Sequence, residues 1–325
     1  MELDFPLKIT WEINQKCNLN CRICYSIDRN SREPEGLSYE KCLEVLEKLR
    51  LLNVLYVFFS GGEPLLKERF YDLLPVCTSY FCTWIQTNGT MIDREAARKL
   101  SHCNVNTIFV NLHGHTEAIH DNFTRTPGSF TLAVNGIQNL VRENVNVMSA
   151  IILSRDNFLH TEEYVRLCHE LGLPKINILR GYYFNNPDSR TFIDLTHEER
   201  RYAVEIMKSA CDKYGMKLGH SYGDKNHNCC PQAISIDARG LLQNCPYLAN
   251  ISKLGSFLDE DPTRLWNSHK SLGIRESYLQ SPGECLACPS YDYCKGGCPA
   301  NKYMESRRFD RKDPVCWFIP AKTGK

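Results

Sequence analysis

The 325-residue chain has almost no charge imbalance: 39 Lys and Arg stand against 38 Asp and Glu, a formal net charge of +1. Without a basic excess, bulk electrostatics gives no argument for nucleic acid or an anionic membrane surface as a partner. A secretory signal is missing as well, because Met1-Glu2-Leu3-Asp4 offers neither a basic start nor an apolar core. No apolar run is long enough to span a bilayer. These absences predict a cytoplasmic chain in a reducing compartment, where disulfides are rare. Cysteine, by contrast, is abundant, with 17 residues, so the explanation shifts towards metal. Cys42, Cys77, Cys82, Cys103, Cys168 and Cys211 are scattered singly through periodic segments and read as small core residues. The other cysteines cluster towards the two ends of the chain.

Near the start, Cys17, Cys21 and Cys24 are spaced C-x3-C-x2-C after an apolar run, Ile9 to Ile13, that reads as a strand. A cubane iron–sulfur cluster has four irons, each wanting one protein ligand, so three cysteines leave one iron open for a substrate or cofactor. Zinc or a set of buried thiols is the competing reading, but zinc sites usually pair cysteines as C-x2-C with two further ligands. After a second apolar run, Val54 to Phe59, comes Ser60-Gly61-Gly62-Glu63-Pro64. Two glycines there allow close approach of backbone to a ligand, and Glu63 can accept from a protonated amine.

Together these motifs resemble the radical S-adenosylmethionine (SAM) superfamily. The resemblance implies a [4Fe–4S] cluster on Cys17, Cys21 and Cys24 whose open iron chelates SAM. SAM is then cleaved reductively to a 5′-deoxyadenosyl radical that abstracts a hydrogen atom from an unactivated C–H bond, chemistry carried by the cofactors. It also implies that Ile23 packs on the adenine and that Gly61, Gly62, Glu63 and Pro64 bind the methionyl amine. Gln86-Thr87-Asn88-Gly89 would line the SAM pocket through Gln86 and Asn88, although Asn-Gly is also a turn signal. Asn111-Leu112-His113-Gly114 stands where many relatives carry S-x-D-G, which leaves His113 either a proton carrier or a hydrogen-bonding partner of a ribose. Ser129 would open a helix whose N-terminus favours a carboxylate such as that of SAM, and Leu179 would touch the adenine.

From Lys8 to Arg180 short apolar runs alternate with amphipathic stretches. Strands are expected at Ile9–Ile13, Val54–Phe59, Phe81–Thr87, Val105–Leu112, Val145–Leu153 and Lys175–Leu179. Helices are expected at Tyr39–Leu52, Asp93–Leu100, Phe130–Arg142 and Thr161–Leu171. Such alternation predicts an α/β fold with a parallel sheet. Six units are too few for a closed eight-fold barrel, and the resemblance implies a partial (β/α)6 barrel. We expect the barrel over residues 1–195, a bridging helix and linker over 196–228 opened by the capping box at Thr196, and a small cysteine-rich domain over 229–325.

That last third carries Cys285, Cys288, Cys294, Cys298 and Cys316 as C-x2-C-x5-C-x3-C-x17-C, with Cys229, Cys230 and Cys245 upstream. It resembles the SPASM domain, which holds two auxiliary [4Fe–4S] clusters. By that resemblance Cys285, Cys288, Cys294 and Cys316 bind the outer cluster, and Cys230, Cys245 and Cys298 the inner one. Relatives with a full set have a cysteine where this chain has Asp224. Three readings stay open: Cys229 as the fourth ligand, Asp224 or His227 in its place, or an open iron. A Cys229 or Cys230 that is not a ligand is a thiol beside the radical site, suited to donating a hydrogen atom in an epimerisation. The resemblance implies a reductant such as flavodoxin or ferredoxin and, most commonly for SPASM enzymes, a peptide substrate that is oxidised, cross-linked or epimerised. The sequence starts almost directly at the first strand, with no room before it for a peptide-recognition domain of about 80 residues, which keeps a small molecule such as an aminoglycoside sugar as the alternative. A non-catalytic iron–sulfur electron carrier is the reading from another class.

Overall fold

The computed structural model describes residues 4–25, 36–182, 187–220, 232–289 and 291–316. Among the described residues ten strands form one sheet: β1 Lys8–Asn14, β2 Tyr56–Gly61, β3 Cys82–Thr87, β4 Thr107–Asn111, β5 Val147–Ile152, β6 Lys175–Leu179, β7 Lys217–His220, β8 Ser235–Ile236, β9 Leu241–Gln243 and β10 Lys253–Ser256. Their spatial order is β10-β9-β8-β1-β2-β3-β4-β5-β6-β7. The strands from β8 through β7 pair in parallel, and only β9 runs against its neighbours. All six expected strands are present.

In the C-terminal third, β8 and β9 extend the barrel sheet. Ser235 and Ile236 lie opposite Thr10 and Trp11, and the Thr10 amide donates to the Ile234 carbonyl at 3.1 Å. A parallel strand laid along β1 covers an edge that would otherwise present free amides. The bridging helix is likewise part of the barrel wall. Its capping box forms as expected over His197–Lys213, and it leads directly into β7.

Helices connect the strands: α1 Tyr39–Leu51, α2 Phe70–Thr78, α3 Arg94–His102, α4 Glu117–Thr124, α5 Ser129–Arg142, α6 Thr161–Glu170, α7 Pro187–Ile193 and α8 His197–Lys213. The first shows why. Ser38 accepts from the Lys41 amide, Glu40 occupies the first turn, and Lys48 and Arg50 occupy the last, each favourable to the helix dipole. Its Cys42, Val45, Leu46 and Leu49 are buried against the sheet. That sheet face is supplied by alternate strand residues, Ile9, Trp11 and Ile13 on β1 and Val57 and Phe59 on β2, all essentially inaccessible. No helix among the described residues is long and apolar enough to cross a membrane.

The other face of the sheet is graded. Towards the strands' N-terminal ends Tyr56 stacks on Trp84 at 5.3 Å, and Phe58 meets Phe109 edge-on at 5.7 Å. Towards the C-terminal ends the same face carries Glu12, Ser60, Gln86 and Asn111. Apolar rings thus floor the sheet, and polar groups gather at the strand ends where β/α sites are built.

The C-terminal third continues through α9 Ala249–Ser252, α10 Pro262–Trp266, α11 His269–Tyr278, α12 Tyr291–Cys294 and α13 Pro299–Ser306. It is tied to α1 by Lys48, whose ammonium donates to the carbonyls of Phe257, Leu258 and Glu260 at 2.8, 2.9 and 2.8 Å. Replacing Lys48 with Met keeps most of the stem and removes all three charged bonds. The expected outcome is a loss of roughly 1.5–3 kcal/mol, read as a lower denaturant midpoint for the release of the C-terminal third.

Candidate active site

The site is built at the C-terminal ends of β1, β2 and β3, and a single carboxylate organises it. Glu63 is 1 % exposed. Its Oε1 accepts from the Thr87 hydroxyl at 2.7 Å and the Leu65 amide at 3.1 Å, and its Oε2 from the Asn88 amide at 2.8 Å. Burial pushes its pKa up, while the bonds from Asn88, Thr87 and Leu65 pull it back. A carboxylate offers about four lone-pair directions, so one at Oε2 remains for a further donor.

The two glycines before it serve close approach. A Cβ on Gly61 would sit 2.4 Å from the Asn14 carbonyl oxygen, and one on Gly62 2.0 Å from that of Lys16. Freed of side chains, this backbone locks onto the cysteine loop: Gly62 N donates to Asn14 O at 3.0 Å and Glu63 N to Lys16 O at 2.7 Å. Asn14 returns a bond from Nδ2 to the Glu63 carbonyl at 2.8 Å. Pro64 follows, buried at the first position of a short 3-10 turn.

The Thr-Asn-Gly segment closes the other side. Asn88 Nδ2 donates to Asn18 Oδ1 at 2.8 Å and reaches Cys17 Sγ at 3.9 Å. Its Oδ1 accepts from the Thr90 amide and hydroxyl at 2.9 and 2.7 Å. Gln86 donates to Asn111 across β3 and β4, a half-buried amide pair on the polar end of the open face. Leu179 lies half-buried at the end of β6, and Ile23 is buried in the main core.

Cys17, Cys21 and Cys24 lie near enough to one another to interact electrostatically. Burial pushes Cys17 up to about 11 and raises Cys21 as well. Among the described residues no three His, Cys, Asp or Glu side chains converge as a single ion demands. Three neighbouring thiols on one loop are a donor set that suits a four-iron cluster, in which each thiolate would meet a different iron. Iron binding would have to displace the protons that burial holds on these sulfurs. The loop is anchored by Arg22, a residue not singled out from the sequence. Its amide donates to Phe123 O at 3.0 Å and its guanidinium to Asn122 O and Oδ1 at 2.9 and 2.6 Å.

Two expectations change. Ser129 does open a helix, but the carboxylate at that N-terminus is the chain's own. Asp121 accepts from the Gly128 amide at 2.6 Å and from the Ser129 hydroxyl and Phe130 amide at 2.8 Å each. Burial opposes the charge on Asp121, yet these bonds from Phe130, Ser129 and Gly128 hold its pKa low. Ser129 is itself inaccessible, its hydroxyl spent on Asp121. His113 is a packed ring, not an exposed proton carrier. It stacks on Phe123 with centroids 3.7 Å apart, and its Nδ1 accepts from the Ile152 amide at 3.3 Å. Burial, then the neighbouring His120, push its pKa well below the usual imidazole value, so it stays neutral.

In the C-terminal third, Cys245 lies within electrostatic reach of Cys298, and Cys285 within reach of Cys294. Burial pushes Cys245 up to about 12 and raises Cys285, Cys294 and Cys298. Cys288 and Cys316 are half-buried in the same loops. Cys229 and Cys230, with Asp224 and His227, lie outside the described residues. Between the two cysteine regions runs a contact that sequence reading missed. Tyr25, next to Cys24, bonds through its hydroxyl to Glu12 and Ser60. Gln243, two residues before Cys245, donates to Glu12 at 3.0 Å. Glu12 went unnoticed because an acid inside an apolar run reads as solvent-facing, and only the sheet's inner face made it a partner.

An open parallel α/β barrel with three thiols locked to a glycine-rich strand end defines a radical SAM enzyme, and the profile described as the Radical SAM superfamily matches residues 11–168. Those residues therefore carry the radical SAM domain of that superfamily. The chain is 28 % identical to mycofactocin maturase MftC of Mycolicibacterium smegmatis over 98 % of this chain and 85 % of that protein. It is 21 % identical to AdoMet-dependent heme synthase of Oleidesulfovibrio alaskensis over 97 % and 88 %. Its fold is similar to the crystal structure of Streptococcus suis SuiB bound to S-adenosylmethionine, with a TM-score of 0.78 and 17 % identity over 97 % of this chain and 78 % of that one.

Gly62 gives the first test of the interlock. Gly62→Ala forces a methyl into the Lys16 carbonyl and is expected to lower the iron retained per chain after anaerobic reconstitution. Gly273→Ala, where a Cβ meets nothing within 4 Å, is expected to retain it. Equal iron in both variants would break the link between this contact and the cysteine loop.

Proposed function

We propose that this chain is a radical SAM maturase that removes a hydrogen atom from an unactivated C–H bond of a peptide. The observation that carries the peptide reading is the similarity to a maturase along nearly the whole of both chains. A further structure of similar fold, SuiB bound to precursor peptide SuiA, agrees with it. In this reading Cys17, Cys21 and Cys24 hold the [4Fe–4S] cluster, and the bound cluster and SAM supply the hydrogen-abstracting radical. Gly61, Gly62 and Pro64 shape the backbone edge for the methionyl end of SAM. Glu63 presents its remaining Oε2 lone pair to the amine. Asn88 holds the Cys17 loop, Gln86 and Asn111 offer amide groups to the ribose, and Ile23 and Leu179 pack towards the adenine. Cys285, Cys288, Cys294 and Cys316 bind one auxiliary cluster, and Cys245 and Cys298, with Cys230, bind another. A flavodoxin or ferredoxin serves as reductant.

A small-molecule substrate is the second reading, favoured by the similarity to a heme synthase over an equal share of the chain. Here Cys229 would be free to return hydrogen from the opposite face of an epimerised centre. In that case product formed in D2O carries one solvent deuterium, and Cys229→Ala stalls at that step without losing iron.

The deciding experiment measures 5′-deoxyadenosine from the anaerobically reconstituted enzyme with SAM and dithionite. Fractions of source-cell extract are added, separated into precursor-peptide and metabolite sizes. Stimulation by the larger, protease-sensitive fraction is the expected result, and stimulation by the smaller fraction alone would replace the peptide reading. Cys17→Ala is expected to abolish 5′-deoxyadenosine while keeping iron in the C-terminal third, and retained cleavage would overturn the assignment of the N-terminal cluster.

A further inference from the structure

Among the described residues, the C-terminal cysteine loops enclose a positive charge with no ion-pair partner of its own. Lys302 lies on α13 one turn after Cys298, and its amide donates to the Cys298 carbonyl at 3.1 Å. The side chain turns inward, and the residue is 1 % exposed. Among the described residues its ammonium reaches only neutral oxygens, the carbonyls of Gln280 at 3.2 Å and Lys295 at 3.5 Å. Gly296 lets the loop close over it, since a Cβ there would lie 3.1 Å from the nitrogen.

Among the described residues, the ion pairs of this region are Arg180–Asp313, Lys295–Asp292, Arg308–Asp310 and Arg190–Glu305, and Lys302 has no share in them. Asp313 is the carboxylate that Lys302 feels most. It is already engaged, by the Arg180 guanidinium and by the amides of Cys298 at 2.7 Å and Val315 at 3.0 Å. The remaining titratable groups within electrostatic reach of Lys302 are the thiols of Cys285, Cys298 and Cys294.

An ammonium buried without a counter-ion is costly, and such groups are normally paired. Neutral thiols give it nothing. Thiolates on a four-iron cluster change this, because the assembly is an anion in both oxidation states and gains one further negative charge when reduced. A fixed cation beside it stabilises the reduced state more than the oxidised state. Lys302 is thus an orphan cation whose missing partner has the charge and the position of the auxiliary cluster.

We propose that Lys302 is a positioning residue that raises the reduction potential of the cluster held by Cys285, Cys288, Cys294 and Cys316, so that this centre takes up an electron more readily. The inference rests on the reading of those four cysteines as cluster ligands, and its test separates the two.

The parent for the test is the full chain with Cys17, Cys21 and Cys24 all replaced by Ala, reconstituted anaerobically and assayed for iron and sulfide. A parent without bound iron fails the cluster reading itself before Lys302 is touched. With iron present, the clusters are titrated with dithionite against redox mediators and followed by electron paramagnetic resonance. Lys302→Met is expected to keep the iron and to lower the reduced-to-oxidised ratio of one cluster about tenfold at fixed potential, a midpoint about 59 mV more negative for one electron. Lys302→Arg, which keeps the charge, is expected to restore most of that ratio. An unchanged midpoint in Lys302→Met overturns the proposal, and so does an equal shift in the Met and Arg variants, which would mark a packing effect. If Lys302→Met loses C-terminal iron, Lys302→Gln is titrated in its place with the same expectation. Loss of iron from that variant too makes the residue purely structural and ends the proposal.

Discussion

One buried carboxylate holds the catalytic end of the barrel together. Glu63 takes a hydroxyl and two amides onto two oxygens, which pins the end of β2 to the end of β3. Its own amide and carbonyl are spent on Lys16 and Asn14, just before the cysteine loop. A group with so many charge-assisted bonds is expensive to displace. The geometry of three separate strand ends therefore depends on it. The cysteine loop, which has little regular structure of its own, inherits its position from this contact on one side and from Arg22 on the other. Rigid support of this kind is what cofactor chemistry asks of a protein: orientation within a fraction of an ångström rather than reactive side chains.

The same logic joins the two ends of the chain. The short β8 extends the sheet beyond β1, and Gln243 on the adjacent strand bonds to Glu12. Arg180 at the lip after β6 pairs with Asp313 in the C-terminal loop, and Asn301 donates to the Gly181 carbonyl at 3.0 Å. Tyr182 stacks on Tyr247, two residues after Cys245, at 3.7 Å. Each contact fixes a cysteine-bearing loop against a strand end. The C-terminal third is therefore built into the barrel mouth from both of its flanks, and distance between the two cysteine regions is set by sheet geometry.

Much of this was legible in the sequence because periodicity and spacing are local. The six strands of the barrel, α1 with its Ser38 cap and α8 with its capping box all follow from patterns within a few residues. What was hidden depends on partners far away in the chain. Helix α2 was missed because Pro75 stands inside it, which reads as a break. The structure tolerates the proline while the Tyr71 carbonyl, which loses its helical donor, receives the Cys103 thiol at 3.9 Å. The Ser129 helix start looked like an anion site, and it is one, but no local pattern says that Asp121 fills it. His113, standing where many relatives carry an acid, was read as a proton carrier or a ribose partner, yet its ring packs on Phe123. Glu12 and Lys302 carry no signature at all: an acid in a strand and a lysine in a helix are ordinary until the fold buries them.

The graded inner face bears on substrate choice. Aromatic rings floor the sheet and polar groups ring its upper edge, so a molecule lodged at the strand ends would meet apolar surface below and hydrogen-bonding groups beside it. Fold and radical chemistry are common property of the superfamily, and specificity has to come from what surrounds the mouth. In this chain the surroundings are largely contributed by the C-terminal third: Tyr247 beside Tyr182 and Tyr25, and Gln243 beside Glu12. The cysteine module is therefore placed to do two things at once. Its cysteine loops are tied to the strand ends, and its aromatic and amide groups line the barrel mouth, so that differences in what binds there are expected in that third before they appear in the barrel.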